Sequence, residues 1–275
     1  MRVAPTVFVE PRSLGRALAA LIADGIAAAP GGRFLLGCPS GRSPASTYAA
    51  LAEEVPRRRL DLRGLIIVMM DEYVERDETA GAMRAVDRHA PHSCARFGRI
   101  EIVEQLNASA AVGRGITRDH FWVPDPASPE DYDARIAEAG GVDLFILATG
   151  ATDGHVGFNP PGSPSSSRSR VVALSERTRR DNLHTFPSFG HDLDRVPRYG
   201  VTVGVATIRE LSKRVVMVAH GRHKADAVKR LVAADGYEPD WPATVLVECA
   251  EPGLFIDSVA AASLTDTRAA AVHNR

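Results

Sequence analysis

The chain has 275 residues, of which 45% are hydrophobic and 24% charged, and its formal net charge at pH 7 is −1. That length can bury a large core. The near-zero charge excludes a broad electrostatic attraction to nucleic acid or to an anionic membrane, so any anion must be held locally.

The N-terminal stretch MRVAPTVFVEPRSLGRALAALIADGI lacks the basic, apolar and small-residue order of a signal peptide. Its ALAALIADGIAAA run is broken by Asp24 and is too short to span a bilayer. It predicts an amphipathic first helix over Ser13–Ala28. Short apolar runs then alternate with helical patterns. In chain order they predict a strand over Arg33–Cys38, a helix over Pro44–Ala52 and a strand over Leu65–Met70. A helix over Pro129–Ala139 and a strand over Val142–Ala148 follow. Val201–Val205 and Val215–Ala219 read as strands, His223–Ala233 as a helix and Val245–Glu248 as a last strand. The alternation specifies an α/β fold: a mostly parallel open sheet with helices on both faces, Rossmann-like, in one domain spanning residues 1–275.

Arg76–Asp125 is the least regular part. Its His89, His92 and His120 have no metal-ligand spacing and read as surface or pocket-rim histidines. Cys38, Cys94 and Cys249 are widely spaced with no Cys-x-x-Cys pair. They signal neither a zinc site nor a disulfide framework, and suit reduced thiols in a cytoplasm.

Several strands end in polar loops, and in open parallel sheets ligands bind beyond the carboxyl ends of strands. In GCPSGRSPASTYAAL a strand runs through Pro39, Ser40, Gly41, Arg42 and Ser43 into a helix starting at Pro44, with Ser43 as its N-cap. Exposed amides, the positive helix end, the two hydroxyls and Arg42 make an anion site. The Gly-Lys-Ser/Thr ending of a Walker A loop is absent. In MMDEYV, Asp71 and Glu72 stand where a strand leaves the core, and a carboxylate beside apolar walls is a tuned proton acceptor. In VDLFILATGATDGHVGFNPPGSP, Asp153 can hold the His155 ring in one tautomer, which makes an imidazole a proton shuttle. In HGRHKADAVKRL, Lys224 falls near a helix start, against the dipole, where a partner anion would favour it.

Together, in this order and over most of the chain, these segments resemble the glucosamine-6-phosphate deaminase (isomerase) family, which shares its fold with 6-phosphogluconolactonases. GCPSGRSPASTY looks like the family's phosphate loop, MDEYV like its base motif and ATDGHVGFN like its ring-opening motif. SRSRVVALSERTRRDN, VPRYGVTVGVATI and GRHKADAV look like the segments that follow. Lactonases usually carry Asp-Glu-Arg at the second site, so the sequence leans to the deaminase branch.

The resemblance implies that Asp71 moves a proton between C1 and C2 of an open-chain sugar, and that His155, oriented by Asp153, assists ring opening. It implies that Ser40, Gly41, Arg42, Ser43 and Lys224 hold the phosphate, with neither metal nor organic cofactor. The implied partner is a small-molecule sugar phosphate rather than nucleic acid or a membrane; assembly into a homo-oligomer stays open.

The chain departs from the family pattern in four places. Pro160 stands where deaminases usually carry a glutamate. His184 stands where they carry a phosphate-binding arginine. Gly41-Arg42 replaces a Gly-Gly pair. Of the positions that bind an activator in some members, Arg170 fits, but Val172 and Ala173 lack the polar groups. The expected function is C1/C2 proton transfer on a phosphorylated aldose or amino sugar, with glucosamine 6-phosphate deamination weak or absent because of Pro160. A 6-phosphogluconolactonase-like hydrolase is the alternative. A sugar-phosphate-sensing regulator lacks a helix-turn-helix segment or basic patch, and a dinucleotide enzyme lacks Gly-x-Gly-x-x-Gly after a strand.

Overall fold

The computed structural model describes residues 2–29, 32–77, 81–264 and 271–272. The strands are β1 (Pro5–Phe8), β2 (Phe34–Cys38), β3 (Leu65–Met69), β4 (Asp71–Arg76), β5 (Met83–Ala85), β6 (Phe121–Trp122), β7 (Leu144–Ala148), β8 (Arg170–Ala173), β9 (Tyr199–Thr202), β10 (Val215–Ala219), β11 (Pro252–Asp257) and β12 (Ala271–Val272). The α-helices are α1 (Pro11–Ala28), α2 (Ala45–Arg58), α3 (Cys94–Phe97), α4 (Gln105–Ser109), α5 (Pro129–Glu138), α6 (Glu176–Thr185), α7 (Val205–Glu210) and α8 (Ala225–Ala233).

Eight strands form one parallel sheet in the order β12-β1-β11-β10-β7-β2-β3-β6. Successive residues of the central strands point to opposite faces, as the pleat requires. Leu36, Ile67, Ile146 and Val216 pack with Leu18, Ile22, Leu51 and Val55 of α1 and α2. Leu35, Ile66, Phe145 and Met217 pack with Ile136, Ile208 and Leu231 of α5, α7 and α8. Both faces are therefore covered, and this is why the strands read as unbroken apolar runs rather than alternating ones.

The sheet has a switch point. From β2 the chain moves outward through β3 and β6, and then returns to β7 on the other side of β2 and moves outward through β10 and β11. Loops leaving the carboxyl ends of β2 and β7 diverge there and leave a crevice.

A second, antiparallel sheet has the order β5-β4-β9-β8. β4 follows β3 after the single residue Met70, whose amide donates to Cys38 O at 3.0 Å and whose carbonyl accepts from Val203 N at 3.0 Å. The chain thus leaves the main sheet beside the switch point and enters the second sheet at Asp71.

Three expected elements differ. Val245–Glu248 lies in a 3-10 helix over Pro242–Glu248, and the neighbouring strand is β11. Val201–Val205 splits: β9 ends at Thr202, and Val205 opens α7 after Gly204. The N-cap of α2 is Pro44 rather than Ser43, and it makes no side-chain cap bond.

Candidate active site

A cavity of about 550 Å³ opens at the switch point, lined from the carboxyl ends of β2, β7 and β10, from the start of β4 and from α6. Ser40, Gly41, Arg42, Ser43, Asp71, His155, His184 and Lys224 all line it. Asp153 stands just behind His155. His89, His92 and His120 lie outside it; His92 stacks at 4.8 Å on Phe189 instead.

Asp71 and Glu72 are adjacent and buried but have different work. The side chains of successive strand residues point opposite ways. Glu72 turns to the start of α3 and accepts from Ser93 Oγ at 2.7 Å and from the amides of Cys94 and Ala95 at 2.9 and 2.8 Å. It also accepts from the amide of Tyr73 at 2.8 Å. It is an anchor, fully used by the fold. Asp71 is 5% exposed, lines the cavity and leaves Oδ1 without a hydrogen-bond partner. Burial, reinforced by the Glu72 charge, pushes its carboxyl up to about 7; the Cys94 thiol and the His155 charge offset only part of that. A carboxyl so placed exchanges a proton near neutrality.

The Asp153 side chain is fully buried and His155 is 15% exposed. Asp153 Oδ1 contacts His155 Nδ1 at 2.7 Å and accepts from the His155 amide at 3.2 Å. Its Oδ2 accepts from Ser175 Oγ at 3.2 Å and Thr178 Oγ1 at 3.1 Å. Burial alone would raise the Asp153 carboxyl, but the hydrogen bonds and charge of His155, with Thr178, outweigh it and hold it well below the usual range. Asp153 is therefore an acceptor, Nδ1 carries the proton and Nε2 is left for other partners. Gly150 makes this approach possible. A Cβ there would stand 2.3 Å from both Asp153 Oδ1 and His155 Nδ1.

The cationic end is built by two loops. Tyr48 Oη donates to Pro39 O at 2.8 Å and pins the loop after β2. Gly41 turns it with φ +94°, a conformation side chains disfavour. Among the described residues, the amides of residues 40–43 meet no protein acceptor, so they are available to a ligand. Lys224 takes the N-cap position of α8 and donates to Thr149 O. Burial and the Arg42 charge lower its ammonium pKa, against Asp181 and Asp153, which raise it. Arg42 and His184 are exposed at the rim.

Sequence reasoning did not single out His220, His223, Tyr73, Phe158, Asp181 or Asn182, which also line the cavity. The histidines flank Lys224 in its motif and could have been found. Asp181 and Asn182 directly precede the His184 segment in α6, so the resemblance that placed His184 near the phosphate could have led to them as well.

The sequence matches the model of a family described as glucosamine-6-phosphate isomerases/6-phosphogluconolactonase over residues 10–253. A glucosamine-6-phosphate deaminase of Bacillus pumilus is 32% identical over 91% of this chain and 95% of its own. One of Rhodococcus jostii is 36% identical over 85% of this chain and 83% of its own. Among solved structures, a monomeric glucosamine-6-phosphate deaminase superposes with a TM-score of 0.81 at 26% identity, covering 94% of this chain and 99% of the other. The Trypanosoma brucei 6-phosphogluconolactonase superposes with a TM-score of 0.68 at 20% identity, covering 95% and 99%, and shares the fold.

Proposed function

The chain belongs to the glucosamine-6-phosphate isomerase/6-phosphogluconolactonase family, and from that premise we propose that it moves a proton between C1 and C2 of a phosphorylated amino sugar or aldose. The observation that carries this is Asp71. It is a buried carboxyl pushed up to about 7, with one oxygen free, in a cavity whose far end is cationic.

In this reading the amides of residues 40–43, with the side chains of Ser40, Arg42, Ser43 and Lys224, bind the substrate's phosphate, and His184 meets it at the rim. That fixes the sugar with its first carbons toward Asp71. His155, with its Nδ1 proton held by Asp153, uses Nε2 to protonate the ring oxygen as the pyranose opens. Asp71 then takes the C2 proton of the open-chain aldose and returns it to C1, through an enediol. No step calls for a metal or an organic cofactor. A cytoplasmic enzyme with one domain fits the sequence, and no described helix is long and apolar enough to cross a membrane.

The test is incubation of the purified protein with glucosamine 6-phosphate, other aldose phosphates and 6-phosphogluconolactone, following ammonia, ketose and acid separately. Ketose formation, with or without ammonia, supports the proposal. Acid from the lactone alone replaces it with the hydrolase reading, in which His155 handles protons and Asp71 is not needed as a base.

A further inference from the structure

The carboxylate expected beside the imidazole is missing from its own loop, where Pro160 stands. A different element brings one. One carboxylate oxygen of Asp181, one of Asp153 and one ring nitrogen of His155 lie within 4.8 Å of one another. Asp181 is in the penultimate turn of α6. The two carboxylates have different surroundings. Asp153 is sealed in the protein and saturated by His155, Ser175 and Thr178. Asp181 lines the cavity, half-buried, and its carboxylate accepts no hydrogen bond from the described residues. It shares that cavity with the unpartnered Oδ1 of the buried Asp71, so a free carboxylate, one free oxygen of a second and an oriented imidazole face the same space.

We propose that Asp181 is a further catalytic residue, a proton acceptor that works with His155 in opening the sugar ring. The proposal rests on the sugar-phosphate reading above. Opening a cyclic hemiacetal breaks the C1–O5 bond, adds a proton to O5 and removes one from the C1 hydroxyl. It therefore needs a donor and an acceptor together. The imidazolium of His155 gives its proton to O5, and Asp181 takes the proton of the C1 hydroxyl as the aldehyde forms. Transfer of that proton from Asp181 to His155 restores both groups, so proton and charge balance close over the step. Asp153 stands behind this pair, and Asp71, Arg42, His184, His220, His223 and Lys224 share its cavity. The charge of Asp181 is felt at both Lys224 and His223. The rival reading is accordingly that Asp181 only balances the cationic end.

The variants Asp181→Asn and Asp181→Glu separate the two readings. With whichever member of the substrate panel the wild type turns over, the proposal expects Asp181→Asn to lose about a hundredfold or more in kcat, with KM within about threefold of wild type and partial recovery in Asp181→Glu. Isothermal titration with inorganic phosphate should give nearly the same affinity for wild type and Asp181→Asn. A kcat within about threefold of wild type, with tighter phosphate binding, makes Asp181 a counter-charge and overturns the proposal. A panel in which wild type turns over no member overturns the sugar-phosphate reading and the proposal with it, whereas turnover by wild type that survives in Asp181→Asn overturns the proposal alone.

Discussion

Asp71 holds its proton at a pH where a solvated aspartate has long lost it, because the carboxyl is buried and its ionisation leaves Oδ1 charged and unpartnered. The pH dependence follows. A base must be ionised, so kcat/KM for the isomerising reaction should rise with one-proton slope up to about pH 7. Asp71→Asn should lose the 10²–10⁴-fold typical of a missing base. Stability moves the other way. The folded pKa lies above the unfolded value, so the folded state holds the proton longer and stability falls as pH rises between about 4 and about 7. At pH 8 the ionised carboxylate costs up to ~4 kcal/mol. Asp71→Asn should therefore melt higher than wild type at pH 8 and close to it at pH 4, by calorimetry at both pH values. A variant less stable at pH 8 would mean that Asp71 has a partner stabilising its charge.

The Asp153–His155 pair depends on a glycine as much as on its own side chains. Gly150→Ala places a methyl 2.3 Å from both partners, so the pair must separate. Loss of turnover with little change in phosphate affinity is the expected pattern, read by kinetics and by phosphate titration of the same variant. Phosphate affinity falling as steeply as turnover would point to collapse of the whole loop.

At the scale of elements, the cationic end is a joint between the loop after β2 and the start of α8. Lys224 contributes charge at that joint and ties it to the loop after β7 through Thr149 O. A charge-assisted contact of this kind is worth roughly 1.5–3 kcal/mol. Lys224→Ala should raise KM for a phosphorylated substrate about ten- to a hundredfold, and inorganic phosphate should protect it less than wild type against heat. Equal protection would remove Lys224 from the site. Glu72 works at this scale too, since it ties β4 to the start of α3 through three of its four bonds. Glu72→Ala leaves those donors unsatisfied and should cost ~3 kcal/mol of stability, measured by urea unfolding.

For the whole molecule, what was legible in the sequence was what short-range chemistry dictates. The strands buried on both faces announced themselves as apolar runs, and the loops beyond them carried the polar groups that the crevice collects. The second sheet was not legible. β4 and β9 carry Asp71 and Thr202 opposite each other, but pairing between residues so far apart in sequence leaves no local trace. Val245–Glu248 has a strand's composition and became a 3-10 helix because Pro242 opens a turn that Thr244 closes on Trp241 O at 2.8 Å. Ser43 lost its expected cap to Pro44. Asp181 belongs to the same class of omission: no motif marks it within its own segment, and the fold carries it to His155. Pro160 considered alone predicts feeble deamination of glucosamine 6-phosphate. With Asp181 at the ring, comparison of wild type and Asp181→Asn on that substrate separates the loop's contribution from the helix's.

The central claim is that Asp71 carries a proton between two carbons of the substrate. The most direct measurement is the reaction in deuterium oxide, with the product examined by proton and carbon-13 magnetic resonance. Wild type should place solvent deuterium at C1 of the ketose, or at C2 of recovered aldose, and Asp71→Asn should do neither at a comparable rate. Turnover by wild type with no label at either carbon, together with near-full activity in Asp71→Asn, would contradict the claim and transfer the chemistry to the Asp153–His155 pair.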